Sequence, residues 1–170
     1  MKPLVALVAL MMMATSARAD QPKVAVFNFE LLDTSLQGEI EGLRKDEQER
    51  LVRVTQQLRE ALAASGGFQV LDIGPVADAA HNSNLQACGG CDVKLAEKLG
   101  ADIAITGVVQ KISNLIINMN IYLRDVHSGK LITVISADMR GNTDESWART
   151  MNWLIRNRVL APNYGAPQSQ

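Results

Sequence analysis

Residues 117–124 alternate without interruption: Ile117, Met119, Ile121 and Leu123 fall on one side, and Asn118, Asn120, Tyr122 and Arg124 on the other. A period of two is the signature of a strand, and an apolar set on one side only calls for a sheet with that face covered. The turn His127-Ser128-Gly129-Lys130 follows, with glycine where a positive φ is wanted, and Leu131 to Met139 reads as the returning strand. This hairpin fixes the C-terminal half of the chain as an antiparallel pair that needs helices laid across its apolar side.

The rest of the chain supplies them. Val24 to Phe29 is a β-branched and aromatic run beginning just after Pro22, and reads as a central strand. Asp46 to Ser65 is the clearest helix, with Leu51, Val54, Leu58, Ala61 and Leu62 on one stripe, acidic residues at its start and Gly66-Gly67 at its stop. Phe68 to Ile73 reads as a second strand, Val76 to Ala80 as a short helix, Asp92 to Leu99 as another, and Asp102 to Lys111 as a strand. The last helix spans about Thr143 to Val159 by its apolar period, starting at Asn142 with Glu145 three residues on and burying Trp147, Met151, Leu154 and Ile155. Glu30 to Lys45 lacks a clean period and reads as a long loop holding at most one turn of helix; loops of that length are often functional. The expected fold is therefore α/β (α+β), a mixed sheet of about five strands with an antiparallel hairpin in the C-terminal half, flanked by two long helices and one or two short ones.

The first residues set the compartment. Lys2, the apolar run Leu4 to Ala14 and the small-x-small site Ala17-Arg18-Ala19 have the form of a secretory leader, too short to span a bilayer. The expected organisation is a signal peptide over 1–19, a single domain over 20–160 and a flexible tail over 161–170, in a protein that is periplasmic or secreted. No cysteine lies at the cut, which excludes a lipid anchor there, and no membrane span is expected after cleavage. The formal charge is −1, or −3 once Lys2 and Arg18 leave with the leader, and no basic cluster exceeds Arg44-Lys45. Nucleic acid is thus not an expected partner.

Cys88 and Cys91 are the two cysteines of the chain, in the loop Cys88-Gly89-Gly90-Cys91. In an oxidising compartment they read most simply as an intrachain disulfide, a clasp on the loop ahead of a helix. So small a ring stabilises by only about 2 kcal/mol. A redox pair is the rival, since a cysteine near a helix N-terminus has a lowered pKa. No tryptophan precedes Cys88, however, and no proline lies between Cys91 and Pro162. A zinc site would have to recruit His81 and His127, the two histidines of the chain, and the haem-attachment pattern fails because Asp92 follows Cys91. No metal and no cofactor is expected. There is no G-x-S-x-G, P-loop or G-x-G-x-x-G. Glu39, Glu41, Asp46, Glu47 and Glu49 read as a solvated approach to the long helix, and Asn118, Asn120, Tyr122 and Arg124 as a water-facing side of the sheet. Trp153, lying off the apolar stripe with Arg149 and Arg156 nearby, is the candidate partner contact, because tryptophan and arginine are enriched where binding energy concentrates.

Leu99-Gly100-Ala101-Asp102 followed by Thr106-Gly107, together with Asp125-Val126-His127-Ser128-Gly129-Lys130-Leu131, resembles the amino-terminal domain of TolB and the periplasmic domain of CsgG-like proteins over roughly residues 23–139. The chain also looks like secreted bacterial proteins in which such a domain stands alone. The resemblance implies an α/β module of the cell envelope, without an active site, that binds envelope proteins or assembles into an oligomer. The alternatives are a periplasmic thiol-disulfide oxidoreductase using Cys88 and Cys91, and a small-molecule binder with Glu30 to Lys45 as its lid.

Overall fold

A computed structural model of the chain describes residues 21–161. The expected leader, and the expected tail beyond Ala161, lie outside the described residues. In chain order the elements are β1 (Lys23–Val26), β2 (Glu30–Asp33), α1 (Leu36–Glu41), α2 (Lys45–Ala64), β3 (Gln69–Val70), α3 (Ala77–His81), α4 (Cys91–Lys98), β4 (Ile103–Lys111), β5 (Ile117–Asp125), β6 (Leu131–Met139) and α5 (Asp144–Leu154). A 3-10 turn, Gly74–Val76, leads into α3, and a π-helical turn, Ile155–Val159, ends α5.

The described strands form one mixed, six-stranded sheet ordered β3-β1-β4-β5-β6, with β2 also paired to β4. β1 runs parallel to β3 and β4, β2 is parallel to β4, and β4-β5-β6 is an antiparallel meander. The hairpin after β5 is as expected: Gly129 has φ +68° and Asp125 accepts from the Ser128 N–H and hydroxyl. One sheet face packs against α2 and α5, where Val54, Leu58, Leu62, Trp147, Met151 and Leu154 meet Ile105, Val109, Met119, Ile121 and Ile135. The other face is covered by α3, α4 and the chain between them, which bury Ala25, Phe27 and Ala104.

The long first strand expected over Val24 to Phe29, and the loop expected after it, need correction. The strand stops at Val26 and resumes as β2 inside the segment read as a loop. Val26 lies opposite Ile105 and Glu30 opposite Val108, so this edge holds one more residue than β4 between those two pairs. The extra residue keeps Val24 and Val26 on the same face as Phe29, Leu31 and Asp33, as a β-bulge does. The backbone groups freed by the interruption find partners: the Phe27 N–H donates to the Ile105 carbonyl at 2.9 Å, the Phe29 N–H to Thr55 Oγ1 at 3.0 Å, and Arg59 donates to the Val26 carbonyl at 2.6 Å. Glycine at 107 is required here, because a Cβ would fall on the Phe29 ring that crosses it.

Three further expectations change. The strand over Phe68 to Ile73 shrinks to Gln69–Val70, because it has only the four residues of β1 to pair with and the chain leaves at Gly74-Pro75. The capping residue of α5 is Thr143, whose hydroxyl accepts from the Ser146 N–H, since Asn142 is engaged elsewhere. The polar side of β5 is largely committed within the fold: Asn120 is buried and accepts from Ser136, Asn118 donates to Asp138, and Arg124 pairs with buried Asp92 at 3.2 Å.

The acidic start of α2 is also not uniformly solvated. Glu47 and Lys111 are both fully buried on the α2 side of the sheet, and Lys111 Nζ lies 2.6 Å from Glu47 Oε1 and 2.9 Å from Asp33 Oδ2. Asn142 donates to Glu47 Oε1 at 2.6 Å and accepts from Trp147 Nε1 at 2.9 Å, so the network reaches α5. Arg50 extends it to Asp46 and Asp144.

Two consequences can be measured. Gly107→Ala should lose about 1–3 kcal/mol or more in urea denaturation through overpacking against Phe29; an unchanged midpoint would contradict that packing. Lys111→Met, which strands two carboxylates, should lose about 3–5 kcal/mol, and adding Glu47→Leu should recover part of it, because an apolar pair tolerates burial better than an unpaired charge. A loss below about 1 kcal/mol for Lys111→Met would show that the ammonium does not carry this junction.

Candidate interaction surface

The network explains how α1 is held. Its six residues include none that is buried, and a helix this short has no stability of its own. It depends on what precedes it. The Asp33 carboxylate takes the buried ammonium on one oxygen, and on the other accepts from the Ser35 N–H at 2.9 Å and the Ser35 hydroxyl at 2.5 Å. Ser35 in turn caps α1 by accepting from the Gly38 N–H at 3.1 Å, and a Cβ at Gly38 would collide with that same carboxylate. The Thr34 N–H donates to the Lys111 carbonyl at 2.9 Å, and Gln37 Oε1 accepts from Asn114 Nδ2 at 2.9 Å.

Electrostatics maintain the charges. Burial works against ionisation of Lys111, but hydrogen bonds to Glu47 and Asp33 outweigh it and hold its pKa above the ordinary lysine value. Burial likewise pushes Asp33 upward, yet hydrogen bonds from Ser35 and Lys111 prevail and keep it below the usual carboxylate range. At the start of α2, the hydrogen bond from Arg44 pulls Asp46 down to about 2, against partial burial and with help from Arg50.

Polar anchoring leaves the apolar side of the segment uncovered. Leu36 and Ile40, one helical turn apart, are 71% and 75% exposed, and Leu43 just beyond the helix is exposed as well. The Gln37–Asn114 bond brings the β4–β5 turn alongside α1, and that turn exposes Ile112, Leu115 and Ile116. Six aliphatic side chains thus gather at one end of the sheet. Aliphatic surface concentrated in this way marks interaction sites in soluble proteins. The sequence reading missed it because the segment looked like a loop; the unmatched leucines and isoleucines of 36–43 and 112–116 were the available signal.

Trp153, Arg149 and Arg156 occupy a different place. Trp153 is 42% exposed on α5, beside the outer strand β6, and does not lie under the segment 30–45. With Arg149 and Thr150 it lines a shallow hollow of about 400 Å³ against Ser136, Ala137 and Asp138. Arg149 pairs with Glu145 at 2.8 Å. Arg156 turns back to the Asn152 carbonyl, and the cation over the Trp153 ring is that of Arg158, 5.2 Å from its centre. The π-helical turn shifts the angular spacing after Ile155, where Arg158 lies five residues beyond Trp153.

Cys88 and Cys91 are joined as a disulfide, with Gly89 and Gly90 at positive φ and Cys91 opening α4. Gly90, rather than a side-chain cap, precedes that helix. Bonds to residues distant in sequence tie the loop to the sheet: Gln86 donates to Thr106 Oγ1 and the Leu85 N–H to Glu30. Burial raises the Glu30 carboxyl above its ordinary value against that Leu85 hydrogen bond. His127 bonds Asp102 at 3.3 Å, while His81 lines an open groove between β2 and residues 82–87. Among the described residues no group of three or more His, Cys, Asp or Glu is placed to hold a metal ion, and no helix is long and apolar enough to cross a membrane.

Comparison with known proteins gives the fold a setting. The C-terminal domain of LpoB from Salmonella enterica is 17% identical, with 71% of this chain and 83% of that chain covered and a TM-score of 0.51. The lipoprotein GNA1162 from Neisseria meningitidis is 16% identical, covering 83% of this chain and 98% of its own, with a TM-score of 0.50. TolB from Acinetobacter baumannii is also similar, at 12% identity over 81% of this chain and 28% of that one, with a TM-score of 0.43. At these identities the first two show a shared fold. No curated protein sequence matches the chain. A family profile described as "Protein of unknown function (DUF2380)" matches residues 22–159, most of the chain, and the chain belongs to that family, DUF3280.

Proposed function

We propose that the protein is a non-catalytic binding or assembly module of the bacterial cell envelope, acting through protein–protein contacts at the aliphatic end formed by α1 and residues 112–116. The observation that carries this reading is the exposure of Leu36 and Ile40, on a segment held by a buried ion network rather than by packing, beside the exposed Leu115 of the β4–β5 turn. A side chain left in water gains free energy when covered, about 25 cal/mol per Å² of apolar surface, so this end favours a partner with an apolar face. The leader-like first residues and the fold shared with a lipoprotein support placement in the envelope. The disulfide serves as a clasp that pins the glycine loop ahead of α4.

The rival is thiol-disulfide exchange at Cys88 and Cys91. Affinity capture from an envelope extract separates the two. Leu36→Asp with Ile40→Asp should keep the far-UV spectrum and lower recovery of captured protein at least ~tenfold, a change worth about 1.4 kcal/mol. Cys88→Ala with Cys91→Ala should leave recovery unchanged. Capture indifferent to the aspartates, or insulin reduction that disappears with the cysteines, would refute the proposal.

A further inference from the structure

The outer strand β6 forms a surface separate from the aliphatic end at α1. β6 has β5 as its neighbour in the sheet order and closes that side of the sheet with an open edge of nine residues, Leu131–Met139. Such edges are templates for further pairing, and proteins usually blunt them with lysine, proline or short length. The sequence LITVISADM contains no lysine, arginine, proline or glycine, and its single charge is Asp138, which bonds Asn118 within the sheet. The blunting present is local: the register shift opposite Leu123 and Arg124 leaves Ile132 unpaired, so the regular edge is Thr133 to Met139.

We propose that this edge pairs with β6 of a second copy of the chain, antiparallel, about a two-fold axis midway between the two Ser136 residues. An axis perpendicular to the sheet keeps every side chain on its own face, so it must pass midway between the two copies of one residue, and Ser136 is the centre of the regular segment. The pairing sets Ser136 opposite Ser136, Ile135 opposite Ala137, Val134 opposite Asp138 and Thr133 opposite Met139. No like charges meet, a hydroxyl pair sits at the axis, and the apolar face continues unbroken across the junction. The hollow beside Ser136, Ala137 and Asp138 lies at that axis, so the added strand and its α5 would close over Trp153. On the opposite side of the sheet the open edges are β3, two residues long, and β2, four residues long, both shorter than the regular segment of β6, so neither can receive it whole and extend a fibre. A closed, isologous dimer is therefore the assembly this edge supports.

The test is sedimentation equilibrium of the whole secreted chain from about 5 to 300 µM, a range suited to edge pairing at micromolar affinity. A concentration-dependent dimer is expected. Val134→Lys with Ser136→Lys places charges at two exposed positions and should raise the dimer dissociation constant at least ~tenfold without changing the far-UV spectrum. Ser136→Cys should give a covalent dimer under mild oxidation, whereas Ile40→Cys should not. A monomer throughout the range, a dimer indifferent to the two lysines, or crosslinking at Ile40→Cys in place of Ser136→Cys would each overturn the proposal. None of these outcomes depends on whether α1 binds an envelope protein, so the two readings fail independently.

Discussion

One ammonium group, that of Lys111, sits with no solvent exposure at the end of β4, and the arrangement of one whole end of the molecule follows from the need to neutralise it. A lone buried charge is too costly to persist, so Lys111 must be met by carboxylates from elsewhere in the chain. They come from Asp33 at the end of β2 and Glu47 in the first turns of α2, residues 78 and 64 positions away. Each partner makes a second bond: Asp33 fixes the start of α1 through Ser35, and Glu47 reaches α5 through Asn142. The ion cluster thereby does for this end of the sheet what apolar packing does for the middle. Because polar bonds, not burial, hold α1 down, its aliphatic side chains remain available.

The interruption of the first strand is the second constraint, and it works with the first. With one residue more than β4 between Val26 and Glu30, the chain brings Asp33 to the same face as Lys111. Without it, the alternation of the strand would turn Asp33 to the opposite face and leave the ammonium with Glu47 alone. Phe29 fills the space that the interruption opens, and Gly107 lets it do so. A backbone irregularity, a glycine and a buried lysine are in this sense one device.

Much of the fold was legible in the sequence, because hydrophobic period reports directly which face is buried. The alternation from Ile117 to Leu123, the stripe of α2 and the turn at Gly129 gave the hairpin, the longest helix and their packing. What was not legible depended on partners distant in sequence. Glu30–Asp33 is too short and mixed for a strand signal, and is a strand because β4 offers it a pairing edge. Glu47 sits among Asp46 and Glu49 like any solvated acid, and nothing local distinguishes it from them. Asn142 resembled a helix cap, but the tertiary bonds to Glu47 and Trp147 claimed it and left the role to Thr143. Beside Trp153, the π-helical turn accompanies the placement of the Arg158 guanidinium over the ring, which no regular helical count anticipates.

The central claim is that the buried ion cluster, acting through Asp33, holds α1 and so presents the aliphatic end. Amide hydrogen exchange on Asp33→Ala tests it most directly. The amides of Glu39 and Gly42, which bond the carbonyls of Ser35 and Gly38, should lose their protection while those of the β4–β5 ladder retain theirs. Unchanged protection across α1 in that variant would contradict the account.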